Sequence, residues 1–345
     1  MNIPKATKLK SGKWRIQIMV NAHRYSVTDV DLNVCKQKAK ELYAGIEQEE
    51  RVPLLLKEAY TRYIDSNDGT LSPSTIRNYR VYQRNYFQDL MTCKICDLTA
   101  EKIQRAISAE AKAGKSPKTI RNAYSLLSVV LKTYRPMFKL NAKLPQKRRN
   151  EITIPTEEEI QRIWAAAKGT KYELPILLAS WLGLRASEIR GLKFEDVVGN
   201  RIHVQRAVVK GDHGLVEKGT KSISGDRWIT CPEEILRLID ARPRDSEYVL
   251  GKFNVDLYDH FRQVCKLAGV TPCRFHDLRH FAASEAHSLG VPDKYQMKRM
   301  GHKTDNMLKN VYQHTMKEKE DYFANTIDNR MRSIYQASED PKSAI

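Results

Sequence analysis

The hydrophobic pattern of this chain changes its period along the sequence. Apolar and polar residues alternate over 12–28, which predicts a β-hairpin with one buried and one solvated face. Helical spacing follows over 33–50 and continues from Pro53 onward. Beyond residue 154, helical segments are mixed with a β-rich stretch near 200–231. Such changes within 345 residues predict two or three domains rather than one.

These patterns predict a multidomain protein that is mainly α-helical with small β elements. We expect a sheet-plus-helix module over 1–50, a helical bundle over 53–137, and a mixed α+β domain with a C-terminal tail over 154–345. A basic linker is expected over 138–153, because residues 141–152 contain a proline, four basic residues and little that a core would bury.

The charge balance indicates what the chain binds. It has 59 Lys and Arg residues against 41 Asp and Glu, a formal net charge of +18. Such an excess indicates a polyanionic partner, most often nucleic acid and sometimes an anionic membrane surface. No apolar run approaches the roughly 18 residues of a membrane span, and the start lacks the apolar stretch of a secretory signal. We therefore expect a soluble, intracellular protein that binds nucleic acid and no membrane.

Two helix starts in the helical region are nearly identical. The heptapeptide SPSTIRN at 72–78 recurs as SPKTIRN at 116–122. Serine at the N-cap and proline at the first helical position are a strong helix-start signal. The repeat reflects either good capping alone or two equivalent helix starts that face phosphates with Arg77 and Arg121.

Two motifs with possible metal ligands favour structural interpretations. Cys93 and Cys96 lack a second pair at zinc spacing, so half-buried thiols at a helix boundary explain them better. His276 and His280 have the spacing of a zinc protease, but Asp277 stands where the catalytic glutamate is needed, and an arginine adds a cation. We predict no metal site and no cofactor.

Four segments that lie far apart in the sequence carry groups suited to phosphoryl transfer. They are GLRASE at 183–188, KGTKSISGDRW at 218–228, HDLRH at 276–280, and MGH at 300–302 followed by Tyr312. Two arginines and imidazole donors stabilise the negative charge of a phosphoryl transition state without a metal. A tyrosine hydroxyl is a suitable covalent nucleophile, and a lysine beside the leaving oxygen is a suitable acid.

These motifs resemble those of the tyrosine recombinases, or phage-type integrases. The family's six catalytic positions are matched in order and spacing by Arg185, Lys221, His276, Arg279, His302 and Tyr312. The motifs span 183–312. The layout of the whole chain is most similar to the three-domain integrases of temperate phages and integrative conjugative elements.

The resemblance implies a site-specific DNA recombinase that cleaves and rejoins double-stranded DNA through a 3′-phosphotyrosyl intermediate. Tyr312 would attack the scissile phosphate and expel a 5′-hydroxyl. Arg185 and Arg279 would bind the non-bridging oxygens, and His302 would add a hydrogen bond there. His276 would accept the tyrosine proton or act as a further donor.

Some assignments have alternatives. Lys221 best fits the family's hairpin pattern T-K-T-x-S-x-x-R and would protonate the leaving 5′-oxygen, but Lys218 lies close enough to take this role. Glu188 either orients the arginine of its box or is an ordinary helix carboxylate. Tyr295 and Tyr322 do not follow the Gly-His pair at the family's distance, and Tyr295 fits a buried helix position.

The resemblance also implies DNA-binding roles for the other domains. Residues 1–50 would bind arm-type sites, 53–137 would bind the core site, and the linker would add positive charge. The expected DNA contacts are made by Arg15, Gln17, Arg24, Arg77, Arg121, Lys147, Arg148 and Arg149. The three hairpin residues have the alternative of being solvated strand residues only.

The implied partners are core and arm attachment sites, a homotetramer on paired sites, an excisionase and a host DNA-bending protein, in the cytoplasm of a bacterial host. Two other functions stay open. A type IB topoisomerase-like enzyme would use the same chemistry without synapsis, and the separate N-terminal module argues against it. A non-catalytic DNA-binding regulator derived from a recombinase would not need all six catalytic positions, which are filled here.

Overall fold

The computed structural model describes residues 4–20, 23–50, 54–147, 154–219, 225–251, 256–301 and 324–336. The chain forms two compact units, an N-terminal unit over 1–149 and a C-terminal unit over 150–345. The predicted fold class, mainly α-helical with small sheets, is confirmed in these residues. None of the helices in the described ranges is long and apolar enough to cross a membrane.

The N-terminal unit begins with a small antiparallel sheet and one helix. The strands are β1 (Thr7–Lys8), β2 (Trp14–Val20) and β3 (His23–Asp29), followed by helix α1 (Leu32–Glu50). The β2–β3 register pairs Ile16 with Val27 and Ile18 with Tyr25, so these residues share the sheet face that packs on α1. The alternation in the sequence therefore encodes this small core.

Five helices form the second core of this unit. They are α2 (Leu56–Ser66), α3 (Pro73–Asn85), α4 (Gln88–Met91), α5 (Ala100–Lys112) and α6 (Pro117–Tyr134). The repeated motifs begin α3 and α6, as predicted, but they are capped differently. The Ser116 hydroxyl accepts a hydrogen bond from the Thr119 amide at 3.2 Å. The Ser72 hydroxyl instead lies 3.0 Å from that of Ser74, the one position at which the two motifs differ.

The segment after α6 is held against the helices for part of the predicted linker. Phe138 is buried in the helical core, and Leu144 packs against that core. The side chain of Gln104 pairs with the backbone of Lys143 in both directions, at 2.7 and 3.2 Å. The sequence predicts an exposed linker here, whereas the structure packs part of it on the helical core. The reason is that apolar residues alternate with the basic ones.

The C-terminal unit combines helices with two small sheets. Its helices include α7 (Glu157–Ala167), α8 (Glu173–Ser180), α9 (Ala186–Gly191), α10 (Glu233–Asp240), α11 (Leu257–Leu267), α12 (Phe275–Ser288) and α13 (Asp293–Met300), and residues 324–336 are also helical. Its strands are β4 (Val197–Val198), β5 (Arg201–Val204), β6 (Arg206–Gly211), β7 (Gly214–Gly219) and β8 (Arg227–Thr230). The sheet order is β4-β5-β8, and β6 pairs with β7 in a separate hairpin.

Helix α8 forms the centre of this unit. Every residue from Leu174 to Ser180 is buried, and the helix contacts α7, α9, α10 and α12. A helix that is apolar on all sides requires neighbours on all sides. The turn that follows α8 and the start of α12 are thereby held next to each other, and both carry residues of the predicted site.

Candidate active site

The turn between α8 and α9 presents Arg185 at the N-cap of α9. Gly183 in this turn has a φ of +70°, and a side chain there would also collide with Met300 Sδ. The Glu188 carboxylate accepts hydrogen bonds from the backbone amide of Arg185 at 2.9 Å and from its Nη1 at 2.6 Å. These contacts support the interpretation that Glu188 orients Arg185.

Arg279 enters the same cluster from α12. Its side chain is 3% exposed, and its two Nη atoms donate to the carbonyl oxygens of Gly183 and Met300. Nη1 also lies 4.0 Å from a Glu188 carboxylate oxygen. Two predicted residues that are far apart in sequence are thus neighbours around one carboxylate.

Arg227, the first residue of β8, completes the cluster and was missed as a site residue in the sequence. Its side chain is 2% exposed, and it donates to Glu188 at 3.3 Å from Nη1 and 2.9 Å from Nη2. Its Nε donates to the carbonyl oxygen of Arg299 at 2.8 Å. The one available signal was its place as the last residue of the hairpin pattern that contains Lys221.

The C-terminal end of α13 is bound by all three arginines of this cluster. Arg227 donates to the carbonyl oxygen of residue 299, Arg279 to that of residue 300, and Arg185 to that of residue 301. The last carbonyls of a helix have no partner within it and carry partial negative charge, so guanidinium groups are suitable caps. The backbone that leads to His302 is therefore fixed up to Gly301.

The electrostatics of the cluster favour an anion. Burial alone would raise the pKa of Glu188, but Arg227, Arg185 and Arg279 outweigh it and lower the pKa to about 2. Burial and the charge of Arg185 lower the pKa of Arg279 to about 9, which leaves it protonated at neutral pH. Three guanidinium groups face one carboxylate, so the cluster keeps an excess of positive charge for a phosphate.

His276 lies at the start of α12 and faces the same cleft as Arg185. Its ring is perpendicular to that of His280, with the centroids 4.9 Å apart. Burial, followed by the charges of His280 and Arg279, lowers the pKa of His276 to about 4. The imidazole is therefore neutral at pH 7 and able to accept a proton.

A cleft of about 800 Å³ opens beside these two residues. Helix α9, the β6–β7 hairpin and the start of α11 form its walls. The polar side chains that line it are those of Arg185, Ser187, Arg190, Lys210, Asp256, Tyr258, Asp259 and His276. Arg279 and Arg227 lie behind this surface rather than on it. Within the described ranges, no group of three or more His, Cys, Asp or Glu residues is placed to hold a metal ion.

Several predicted residues lie outside the described residues, namely Lys221, His302, Tyr312 and the rival tyrosine Tyr322. Lys218 is described on β7, opposite Ala207 of β6. Tyr295 is 67% exposed on α13, so the prediction that it is buried is wrong. The short helix α13 packs through Gln296 and Met300 and leaves that side chain in solvent.

The predicted DNA-binding residues of the N-terminal unit lie either on its sheet or on its helices and the segment after them. Arg15, Gln17 and Arg24 share the sheet face opposite the apolar core, as the β2–β3 register shows. Arg77 is half-buried near the start of α3. The Nε of Arg121 donates to the carbonyl oxygen of Pro145 at 2.9 Å, so this arginine also binds the segment after α6. Lys147 is exposed, and Arg148 and Arg149 lie outside the described residues.

The pKa of His276 predicts acid sensitivity of the free protein. As pH falls from the ordinary value of 6.5 towards about 4, the unfolded imidazole gains a proton that the folded one does not. The free energy of unfolding should therefore fall in this window, by about 1–3 kcal/mol from this residue. The stability contributed by Glu188 is lost only below about pH 4.5. Urea unfolding followed by tryptophan fluorescence between pH 7 and 5 measures the effect.

His276→Asn should reduce this pH dependence because the substituted side chain does not titrate, and His280, whose pKa is also lowered by burial, accounts for part of what remains. His213→Asn, at an exposed turn of the β6–β7 hairpin, is the matched control and should retain the wild-type dependence. If the free energy of unfolding depends on pH equally in His276→Asn and in the wild type, the histidine is not buried in its neutral form.

Comparisons with known proteins show what this chain is similar to. Residues 154–319 match the model of the phage integrase family. The chain is 26% identical over 296 residues to a XerC-like tyrosine recombinase of Caldanaerobacter subterraneus subsp. tengcongensis, covering 71% of this chain and 75% of that protein. It is 27% identical over 282 residues to the tyrosine recombinase XerA of Pyrococcus horikoshii, covering 74% and 88%.

Solved structures show the same fold. The Tn1549 transposon integrase in complex with circular intermediate DNA matches with a TM-score of 0.64 and 20% identity, covering 75% of this chain and 94% of that one. A lambda integrase tetramer bound to a Holliday junction matches with a TM-score of 0.58 and 17% identity, covering 89% and 94%. The match to lambda integrase covers more of this chain than the match to the Tn1549 integrase.

Proposed function

Because the chain belongs to the tyrosine recombinases of the phage integrase type, we propose that it integrates and excises a mobile element by site-specific recombination. The observation that carries this proposal is the cluster around Glu188. It brings Arg185 and Arg279 together from separate elements and places Arg185 with His276 on an open cleft. This arrangement provides a positively charged, preorganised site for one phosphate of the DNA backbone.

The scissile phosphate binds at the cleft surface beside Arg185. The guanidinium of Arg185 is one-third exposed, and Glu188 and Gly301 hold it in place. Arg279 uses two of its five N–H groups on backbone carbonyls, and we propose that its remaining donors bind the same phosphate. Guanidinium groups suit this role because they bind phosphate oxygens in pairs and stay charged.

The cleavage step exchanges one phosphodiester for another. The Tyr312 oxygen forms a bond to phosphorus, and the bond from phosphorus to the 5′-oxygen breaks. The neutral His276 accepts the tyrosine proton, and Lys221 donates a proton to the 5′-oxygen as it leaves. His302 adds a hydrogen bond to a non-bridging oxygen. Attack by the 5′-hydroxyl of another strand reverses these transfers and completes recombination.

The other partners follow from the same family. Residues 1–50 bind arm sites, 53–137 bind the core site, 138–153 link them to the catalytic domain at 154–345, and the protein acts as a tetramer on paired sites. The solved lambda integrase tetramer on a Holliday junction supports this assembly. The proposed partners also include an excisionase and a host DNA-bending protein, and the proposed location is the cytoplasm of a bacterial host.

A nicked suicide substrate tests the proposed function. The DNA is the junction fragment recovered with the purified protein, and a nick near the cleavage site lets a short strand diffuse away. Wild type should remain on this DNA as an SDS-resistant band, with EDTA present, because arginines carry the transition-state charge. Failure to form the band on recovered junctions would refute the proposal. Relaxation of supercoiled plasmids without recombination between paired sites would favour the topoisomerase-like alternative.

Lys221→Ala should slow strand cleavage, and a 5′-bridging phosphorothiolate should largely restore the rate. A thiolate leaves without protonation, so loss of the general acid then costs little. Single-turnover cleavage of the oxygen and sulfur substrates measures the ratio.

Lys218→Ala is the matched control, three residues earlier in the same hairpin. Glu217 beside it accepts a hydrogen bond from the Tyr248 hydroxyl and pairs with Lys193 at 3.3 Å, which ties this part of β7 to the body of the domain. The sulfur substrate should not selectively restore the cleavage rate of Lys218→Ala. Selective rescue of Lys218→Ala alone would transfer the acid role to Lys218.

Removal of residues 1–50 should leave cleavage of a short core site intact and impair recombination between full attachment sites. The residues proposed for catalysis all lie beyond position 180, and the first fifty residues have their own small core. Cleavage of a core-site suicide substrate and recombination of full sites are measured with the same preparation. Undiminished recombination of full sites would contradict the assignment of an arm-binding domain.

A further inference from the structure

We infer that Arg227 is a positioning residue for DNA cleavage, which holds Glu188 against Arg185 and fixes the backbone at Gly225 and Arg299. This inference rests on the proposed function. Arg227 is 2% exposed, and all three of its guanidinium nitrogens donate to Glu188 or to backbone carbonyls, so none is directed to DNA. Its effect on the reaction must pass through the groups that it contacts.

The first of these groups is the Glu188 carboxylate. Arg227 binds both of its oxygens from one side, at 3.3 and 2.9 Å, while Arg185 binds it from the other side at 2.6 Å. Without Arg227 the carboxylate stays buried but loses the partner that most strongly favours its ionised form. A protonated or rotated Glu188 no longer holds the guanidinium of Arg185 towards the cleft.

The second group is the backbone at the end of α13. Arg227 donates to the carbonyl oxygen of Arg299, the first of the three consecutive carbonyls that the arginine cluster binds. Gly301 follows with a φ of +63°, and His302 comes next in the chain. Loss of the contact at residue 299 frees the end of the helix that leads to the catalytic histidine.

The third group is the carbonyl oxygen of Gly225, which accepts from Arg227 Nη1 at 3.1 Å. Gly225 lies four positions after Lys221, at the point where the chain enters β8. One buried guanidinium therefore contacts the arginine box through Glu188, the backbone before His302, and the backbone after the lysine. These are three of the parts that must be aligned for cleavage.

Two substitutions of Arg227 and one matched control test this inference. Arg227→Gln should lower the single-turnover cleavage rate at saturating protein about 100-fold, since misplacement by about 1 Å has effects of this size. Arg227→Lys should recover part of the loss, because it keeps the charge but not the paired donors. The apparent Kd for junction DNA should stay within about threefold of wild type, because the residue does not reach DNA.

Arg206→Gln is the control. Arg206 lies in the same unit, is 13% exposed, and pairs with Glu195 at 2.8 Å and Asp196 at 3.0 Å, away from Glu188. It should lose stability in urea to a similar degree and keep the wild-type cleavage rate. An equal rate loss in Arg206→Gln, or a wild-type rate in Arg227→Gln, would overturn the inference.

The pH dependence of cleavage separates positioning from a general loss of stability. In Arg227→Gln, the pKa of Glu188 rises above its wild-type value, because burial remains and the strongest cationic partner is lost, so the rate should begin to fall at a higher pH than in wild type as the solution is acidified. Adding Glu188→Gln should remove this extra dependence. The same pH profile in Arg227→Gln and wild type would contradict action through Glu188. If the wild-type protein forms no covalent adduct, the proposed function is rejected. If the wild type forms the adduct and the Arg227 variants cleave at the wild-type rate, only this inference is rejected.

Discussion

Tyr312→Phe is expected to bind junction DNA about as well as wild type and to form no covalent adduct. Affinity rests mainly on phosphate contacts of a chain with a net charge of +18, and one hydroxyl contributes little to that electrostatic term. The cleavage step, by contrast, should be lost, because phenylalanine has no oxygen with which to attack phosphorus. Gel-shift titration and the suicide substrate measure the two properties on the same DNA.

Tyr295→Phe is the matched control and should form the adduct at the wild-type rate. Its side chain is 67% exposed on α13, which makes it the most accessible rival among the described tyrosines near the cluster. A persistent band from Tyr312→Phe would assign the nucleophile to another residue, and combination with Tyr295→Phe or Tyr322→Phe would identify it. Loss of the wild-type band in EDTA would instead revive a metal-binding role for His276 and its neighbours.

Arg279→Lys is expected to lower the cleavage rate about 100- to 1,000-fold, the range seen when one preorganised donor to a transition state is removed. Lysine keeps the charge, but a single ammonium does not reproduce the planar fork that spans the carbonyls of Gly183 and Met300. One buried carbonyl loses its partner, so the free energy of unfolding should also fall by about 1–3 kcal/mol. Single-turnover kinetics and urea unfolding measure both effects.

Arg135→Lys is a control with the same chemical change in the other unit. Arg135 is 8% exposed and donates to the carbonyl oxygens of Ile95 at 3.1 Å and Leu98 at 2.7 Å. It should lose comparable stability and keep the wild-type cleavage rate. If Arg279→Lys cleaves as fast as Arg135→Lys, Arg279 has a structural role only.

Local structure could be predicted well because its determinants are neighbours in the chain. The alternation over 12–28 became β2 and β3, and the serine-proline starts became the first residues of α3 and α6. Where the prediction used spacing alone, it failed for Tyr295, because its exposure depends on what packs against α13.

The sequence by itself predicted Arg185, Glu188, His276 and Arg279 as site residues, but not Arg227. Only the tertiary structure decided which group contacts which. Arg227 meets the carbonyl of residue 299 across 72 positions, and Arg185 meets that of residue 301 across 116. No local pattern encodes such pairs, because backbone carbonyls are the same in every residue. The lowered pKa values of Glu188 and His276 have the same origin, since burial and charged neighbours are set by packing rather than by residue type.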